Sequence, residues 1–292
     1  MTLTNAASVR SSQPDPSQGD NSVSETTTVV AEVDIAVVSL NAVGPALDPV
    51  VGGSTTKDLT ATITNSGPSG PVDALVAFTA TSDPGVSVVI VSTPSPISAL
   101  GIGESRTAGQ TARITCDAPG THAITFEATA APDEVATTDP SPDNNAASEP
   151  VTVECLVPVA VNIHPGSSEN PMNVRSGGVV PVAVLTTEAG EYGLPMAFDA
   201  TSIDVDTVRF GSVDALQSGS GAPAGHKRGH REDSLELDEV TYDGDTDLVL
   251  HFSTAATAID PGTTEVCVRG TFQHGGSTYQ FIGCDQIDLV PR

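Results

Sequence analysis

Seven short runs of alternating apolar and polar residues constrain the fold of residues 32–157 more than any other feature of the sequence. They are rich in Val, Ile and Thr, as half-buried β-strands are. The turn sequences GPSGP, SDPG, APG and SPDNN separate them. The runs are Val33–Leu40, Leu59–Asn65, Ala74–Ala80, Val86–Val91, Thr111–Cys116, His122–Ala128 and Ala147–Cys155. With no helical periodicity of useful length, the sequence predicts an all-β protein whose first domain, residues 32–157, is an immunoglobulin-like β-sandwich.

Residues 1–31 contain a partial repeat of the end of this domain. Asp20–Val29 aligns without a gap with Asn144–Val153, with five identities in ten residues, and a Pro/Asp/Ser turn precedes both copies. The second copy closes a complete domain, whereas the first has too few residues before it to do so. Residues 1–31 are therefore either the closing strands of a preceding repeat in a tandem array or strands donated to a neighbouring subunit.

Two motifs in residues 32–157 resemble the conserved-repeat and CARDB-type (cell-adhesion-related) modules of bacterial and archaeal surface proteins. They are the strand and turn Ile63–Pro68 (ITNSGP) and the closing turn Asp139–Asn145 (DPSPDNN). The resemblance extends to the partial copy at residues 1–31. It implies an immunoglobulin-like fold in a repeat stalk or adhesin, although such sandwiches support many functions.

A second module begins after Leu156, and the sequence predicts a second antiparallel β domain over residues 158–292. This part resembles a β-rich module common at the C-termini of secreted bacterial and archaeal proteins. The matching segments are Ile163–Gly166, Gly178–Thr187, Asp204–Gly211, Gly229–Asp233, Asp243–Phe252 and Gly283–Asp285. Many relatives have a D-x-N/D-G-D-G run directly after the Glu-Asp pair, whereas Ser234–Tyr242 intervenes here, which argues against a dockerin-like calcium loop.

The four cysteines form an even set without a C-x-x-C pair, which favours disulfides over a zinc site. Cys267 and Cys284 flank TFQHGGSTY, a predicted hairpin turn, so we expect them to be bonded. Cys116 and Cys155 each end a predicted strand and form the other expected pair. The alternative is two pairs of free, buried thiols.

The stretch from Glu232 to Asp247 is the most acidic in the chain, with eight Asp or Glu residues in sixteen. Asp243, Asp245 and Asp247 alternate around Gly244 in a tight turn, and Glu232 and Asp233 complete the set if the loop folds back. Calcium prefers six to eight oxygen ligands, which such carboxylates supply. The spacing does not fit an EF-hand, since Gly244 directly follows the first aspartate and no glutamate stands at position twelve. The alternatives are a calcium site at these five residues or a solvated acidic loop.

Other constellations give weaker indications. His226 and His230 lie in a Gly-rich segment that disfavours the helix an H-x-x-x-H site requires, so a basic loop explains them better than a zinc site. Asp204, Asp206 and Arg209 alternate with apolar residues, as on the solvated face of a strand.

The chain contains neither H-E-x-x-H nor G-x-S-x-G, and its 3% aromatic content disfavours a sugar-binding cleft. The sequence therefore predicts a protein that is not an enzyme.

The net charge of −26 excludes binding to nucleic acid or anionic lipid surfaces, because both require basic residues. No apolar stretch approaches the ~20 residues of a membrane span. The first residues lack the basic start and apolar core of a signal peptide, so an extracellular location implies a mature form or part of a longer protein. The sequence thus predicts a structural component of an extracellular prokaryotic stalk or filament that associates with itself or with neighbouring β domains. The alternative is an adhesin or a module that binds polysaccharide or a partner protein.

Overall fold

The computed structural model describes residues 2–45, 48–91, 96–133, 137–173, 177–225 and 228–290. Within these ranges the protein is all-β, as predicted, with a single α-helix, α1 (Val213–Gln217). Short 3-10 helices occur at Gln18–Asp20, Pro142–Asn144, Glu191–Gly193, Ala200–Ser202 and Thr254–Ala256.

The N-terminal residues form an isolated antiparallel hairpin of β1 (Thr2–Ser8) and β2 (Ser22–Thr28). Every residue of both strands is exposed. The odd-numbered residues share one face, since Ala7 pairs with Val23 and Leu3 with Thr27. This hairpin has no core of its own.

The first sandwich is formed by two four-stranded sheets, β4-β5-β9-β7 and β12-β10-β6-β8. Its strands are β3 (Ala31–Glu32), β4 (Ile35–Val43), β5 (Ser54–Asn65), β6 (Val72–Ser82), β7 (Val86–Ile90), β8 (Ile97–Leu100), β9 (Ser105–Cys116), β10 (Gly120–Pro132), β11 (Thr137–Thr138) and β12 (Ala146–Cys155). The strand order corresponds to the ABED and CFG sheets of a constant-type immunoglobulin domain. The predicted immunoglobulin-like sandwich is therefore present, and all seven expected strands contribute to it.

The core of this sandwich follows from the alternation of its strands. In β10, Ile124, Phe126 and Ala128 are at most 1% exposed, while the residues between them face solvent. The opposite sheet contributes Leu59 and Ile63 to the same core. Because each strand buries one face and exposes the other, the alternation of apolar and polar residues in the sequence predicts where the strands lie.

The ITNSGP motif closes one end of this sandwich. The side chain of Asn65 is fully buried, and its Nδ2 donates to the carbonyl oxygens of Ser69 (3.0 Å) and Leu100 (3.3 Å). Its Oδ1 accepts from the Gly67 N–H (3.0 Å). A Cβ at Gly67 would stand 2.3 Å from the Asp34 nitrogen, so only glycine fits.

The second unit contains a five-stranded sheet, β13-β22-β21-β17-β18, and a four-stranded sheet, β14-β16-β20-β19. Its strands are β13 (Val157–Pro158), β14 (Val161–Ile163), β15 (Pro171–Met172), β16 (Val179–Val184), β17 (Ile203–Gly211), β18 (Ala222–Pro223), β19 (His230–Glu232), β20 (Asp247–Ser253), β21 (Glu265–His274), β22 (Ser277–Gln286) and β23 (Asp288–Leu289). Two groups of phenylalanines fill the space between the sheets. Phe210 stacks on Phe252 at a centroid distance of 4.9 Å, and Phe198 contacts Phe272 and Phe281.

Both expected disulfides are present. Cys116–Cys155 joins β9 of one sheet to β12 of the other. Cys267–Cys284 joins directly opposite residues of the β21–β22 hairpin, whose turn contains Gly275 and Gly276. The cysteines of the described residues therefore form no free thiols.

The connection between the two units is hydrogen-bonded to both of them. Leu156 is 1% exposed; its N–H donates to the Pro49 carbonyl (2.9 Å), and its carbonyl accepts from the Val51 N–H (2.9 Å). One residue later β13 pairs with β22, and the Val159 N–H donates to the Ile282 carbonyl (3.0 Å). The chain thus passes from one core to the next without an exposed linker.

Candidate metal centre

The acidic stretch forms a loop whose two ends are paired. Glu232 in β19 lies opposite Asp247 in β20, so residues 233–246 leave the sheet and return to it at the same point. Within the loop, the Asp238 carboxylate accepts from the N–H groups of Val240 and Thr241, both at 2.9 Å. These bonds lower the pKa of Asp238, with the Val240 bond as the largest cause.

Asp247 anchors the loop to the rest of the unit. It is fully buried, and its Oδ1 and Oδ2 accept from the N–H groups of Thr186 (2.8 Å) and Ser234 (2.9 Å). Burial raises the pKa of Asp247, while the two hydrogen bonds act in the opposite direction. Both oxygens thus have structural partners.

Asn162 in β14 holds the middle of the loop. Its buried Nδ2 donates to the carbonyl oxygens of Leu235 (2.9 Å) and Glu236 (3.2 Å). Glu239 adds a second attachment, because its Oε2 accepts from the Gly166 N–H (2.6 Å). The loop is therefore fixed against the sheet edge at several points.

Three carboxylates converge where this loop meets the 3-10 helix Glu191–Gly193. One oxygen from each of Glu191, Glu236 and Asp243 lies within 4.8 Å of the other two. Glu236 is only 5% exposed, Glu191 is half-buried and Asp243 is exposed. We call these three residues the carboxylate cluster.

Tyr192 fixes the orientation of the Glu236 side chain by donating from its hydroxyl to Glu236 Oε2 (2.5 Å). Burial raises the pKa of the Glu236 carboxyl, and the negative charges of Asp243, Asp247 and Glu191 raise it further against the opposing effect of the Tyr192 bond. Burial and Glu236 also raise the pKa of Tyr192, so its hydroxyl remains protonated as a donor. Tyr192 also lines a cavity of about 320 Å³ together with Asn170, Glu239 and Asp285.

Of the five residues predicted to bind calcium, Asp243 belongs to the carboxylate cluster. Asp247 is the buried anchor, and Asp245 donates its backbone N–H to Asp243 Oδ1 (2.8 Å). Glu232 and Asp233 are exposed and line a separate cavity of about 360 Å³ with Tyr242 and His251. Calcium binding by the five-residue set stays a prediction.

Sequence reasoning missed Glu191 as a member of this cluster. It precedes Glu236 by 45 positions and lies outside the acidic stretch, so only the tertiary fold brings it to the loop. Glu236 lies within the acidic stretch, but the sequence does not reveal that its side chain is buried while those of Leu237 and Asp238 are exposed.

Of the two histidines of the basic segment, only His230 lies within the described residues, and His226 lies outside them. His230 in β19 has its ring 5.4 Å from that of His251, edge to face. Asp204 and Asp206 are exposed on β17, in agreement with the solvated strand face expected there.

No known protein family model matches the chain, and no curated protein matches it. Solved structures with weak likeness include domains 5–6 of the S-layer protein SbsC, with 14% identity, 88% of this chain and 98% of that chain covered, and a TM-score of 0.22. Domains D2 and D3 of the major pilin SpaD from Corynebacterium diphtheriae show 10% identity, 84% coverage of both chains and a TM-score of 0.28. The secreted serine protease VesC from Vibrio cholerae shows 12% identity, 87% and 52% coverage and a TM-score of 0.27. Likenesses with such low TM-scores and identities do not establish a shared function.

Among the described residues, no helix has both the length and the apolar character needed to cross a membrane.

Proposed function

We propose that this protein is a structural, non-catalytic component of an extracellular prokaryotic surface stalk or filament. The observation that carries the proposal is the continuous hydrogen-bonded connection between its two β units. Linkers between independently moving domains are exposed, flexible and rich in Gly, Pro or polar residues. Here Leu156 is buried and hydrogen-bonded to the first unit, and Val159, three residues later, is hydrogen-bonded to the second, so pulling on one unit acts directly on the other.

A second contact between the units supports the same role. Arg269 in β21 donates from Nη2 to Asp48 Oδ2 (2.8 Å), and the same nitrogen donates to Gln280 Oε1 (2.8 Å). The ion pair is largely shielded from solvent, with 20% of the Arg269 side chain and 32% of the Asp48 side chain exposed. This ion pair therefore restricts bending between the two units at a point outside the connecting segment.

The covalent and electrostatic features fit an extracellular location. Disulfides persist in oxidising environments, and each unit contains one. The net charge of −26 keeps such a protein soluble and repels nucleic acid and anionic membranes. Labelling of intact source cells with antibodies against residues 32–290 tests this location; labelling that requires permeabilised cells would contradict it.

We further propose that the N-terminal hairpin, Thr2–Thr28, is donated to a β-sandwich of a neighbouring copy and adds its strands there. Its turn repeats the geometry of the β10–β12 turn: Ser17 N–H donates to Asp15 Oδ1 and Ser141 N–H to Asp139 Oδ1, both at 2.9 Å. In the sandwich, Asp139 Oδ2 also accepts from the Ile35 N–H of β4, whereas Asp15 Oδ2 accepts from the Asn21 side chain. The N-terminal hairpin thus resembles the closing hairpin of the sandwich. In the described residues, however, its Asp15 carboxylate bonds within the hairpin and not to a strand equivalent to β4.

The apolar face of this hairpin fits the same role. Leu3, Val9, Val23 and Val29 are between 39% and 70% exposed. They occupy the face that, in the aligned strands β10 and β12, covers the sandwich core with residues such as Ile124 and Val153. A lone two-stranded hairpin is marginally stable in water, so this face favours association with another β domain.

Electron microscopy of the purified chain tests strand donation with two adjacent substitutions. Val23 lies on the apolar face and Ser24 on the opposite face, so Val23→Asp should abolish assembly and Ser24→Asp should preserve it. A chain without residues 2–28 should behave as Val23→Asp does. Monomers of the wild-type protein, or fibres that survive the deletion, would contradict the proposal.

A further inference from the structure

The carboxylate cluster is preorganised by the protein. Each member uses one oxygen for a hydrogen bond that fixes its position. Glu191 Oε2 accepts from the Glu188 N–H (2.9 Å), Glu236 Oε2 from the Tyr192 hydroxyl and Asp243 Oδ1 from the Asp245 N–H. No hydrogen bond from the described residues reaches the second oxygen of any of the three.

The second oxygen of Glu236 is the observation that indicates a ligand. Glu236 is 5% exposed, and its Oε1 is buried without a hydrogen-bond partner among the described residues. Buried polar atoms in native proteins nearly always have a partner, and a carboxylate oxygen without one is costly. Its carboxyl group belongs to the cluster, so a cation shared with Glu191 and Asp243 would satisfy it.

The charge of the cluster favours the same partner. Three carboxylates within 4.8 Å repel each other strongly when all are ionised. No lysine or arginine in the described part of the chain forms an ion pair with any of them, since the pairs present are Arg106–Glu104 and Arg269–Asp48. A bound cation would supply the missing positive charge.

We propose that Glu191, Glu236 and Asp243 bind a calcium ion. The donors are all hard oxygens, two from the acidic loop and one from the 3-10 helix, and calcium accepts such sets in irregular geometry with water completing the shell. Magnesium demands a tighter octahedron, and zinc prefers nitrogen and sulfur ligands. The ion would connect the acidic loop to the 3-10 helix at Glu191. This inference is independent of the proposed surface role.

Calcium binding to the full chain, after EDTA treatment and dialysis, tests the site. Isothermal titration with CaCl2 should give a dissociation constant on the order of 10⁻⁴–10⁻³ M, as in extracellular calcium modules. Calcium at about ten times that constant should raise the melting temperature by roughly 3–6 °C. Glu236→Gln and Asp243→Asn should each weaken binding about tenfold or more, because affinity follows the number of charged ligands.

Two matched variants separate this site from the one predicted by the sequence alone. Asp245→Asn and Glu232→Gln remove one charge each from the same acidic stretch and should change the affinity less than about twofold. Loss of binding in these variants with retention in Glu236→Gln would overturn the proposal. So would the absence of any calcium heat or melting shift in the wild-type chain.

Terbium luminescence gives an independent position for the ion. The chain has no tryptophan and three tyrosines, so terbium in a calcium site can be excited only through a nearby tyrosine. Tyr192 contacts the cluster, whereas Tyr242 lines the cavity with Glu232 and Asp233. Tyr192→Phe should remove most of the sensitised emission and Tyr242→Phe should retain it; the reverse result would place the ion elsewhere and overturn the proposal. Circular dichroism of each variant confirms that it is folded.

Discussion

At the level of single residues, carboxylates of one acidic loop have three different roles. Asp238 stabilises a turn by accepting from Val240 and Thr241. Asp247 is buried and joins two chain segments, and Asp243 contributes to the carboxylate cluster. All three are aspartates of one short acidic stretch, but their roles depend on which backbone N–H groups the fold places beside them.

Asp247→Ala should lower the free energy of unfolding of the second unit by about 2–4 kcal/mol, because the Thr186 and Ser234 N–H groups lose their acceptors. Asp247→Asn should cost less, since one acceptor oxygen remains. Asp245→Ala, two positions away, should stay within about 0.5 kcal/mol of wild type. Urea denaturation measures all three; equal effects of the Asp245 and Asp247 substitutions would contradict the anchoring role.

Asp285 should make stability depend on pH. Burial raises the pKa of its carboxyl, and the charge of Glu239 adds to this effect. The folded state therefore binds the proton more tightly than the unfolded chain, so the contribution to stability is largest below the unfolded pKa and is lost as pH rises through the folded value. The stability of wild type relative to Asp285→Asn should increase as pH falls from about 7 to about 4.

Melting curves across this pH range check the Asp285 prediction. Asp288→Asn, an exposed residue three positions on, serves as the control and should show no comparable trend. A difference between wild type and Asp285→Asn that stays constant or shrinks on acidification would contradict it.

At the level of elements, the sequence predicted most of the first sandwich because each strand buries one face. β8 was missed, since it has only four residues and contains Ala99 at a φ of 53°, outside regular strand geometry. For the acidic stretch the sequence left two alternatives, a calcium site at Asp243, Asp245, Asp247, Glu232 and Asp233 or a solvated acidic loop. The burial of this loop and its contact with Glu191 depend on tertiary contacts such as those of Asn162, which no local pattern encodes.

The two disulfides should contribute unequally to stability. The loop between Cys116 and Cys155 spans 39 residues and that between Cys267 and Cys284 spans 17. The chain-entropy relation gives roughly 4 kcal/mol for the first and roughly 3 kcal/mol for the second. Paired Cys→Ala variants, followed by urea denaturation, should show the larger loss for the Cys116–Cys155 pair, and each loss should appear in the transition of its own unit. The reverse order would contradict this account.

At the level of the whole molecule, the connection through Leu156 determines how the two units behave together. Its N–H and carbonyl bond to the first unit, and β13 directly afterwards pairs with β22 of the second. Arg269 and Asp48 restrict the same junction from the side. A structural role in a stalk or filament requires this rigidity, since a flexible junction would absorb force by bending.

Backbone N–H residual dipolar couplings of the weakly aligned protein test this claim most directly. Couplings from residues of both units should fit one alignment tensor, because units that move together share one average orientation. A Gly-Ser insertion after Leu156 combined with Arg269→Ala should give two tensors of different magnitude. Two different tensors in the wild-type protein would show independent motion and contradict the proposed structural role.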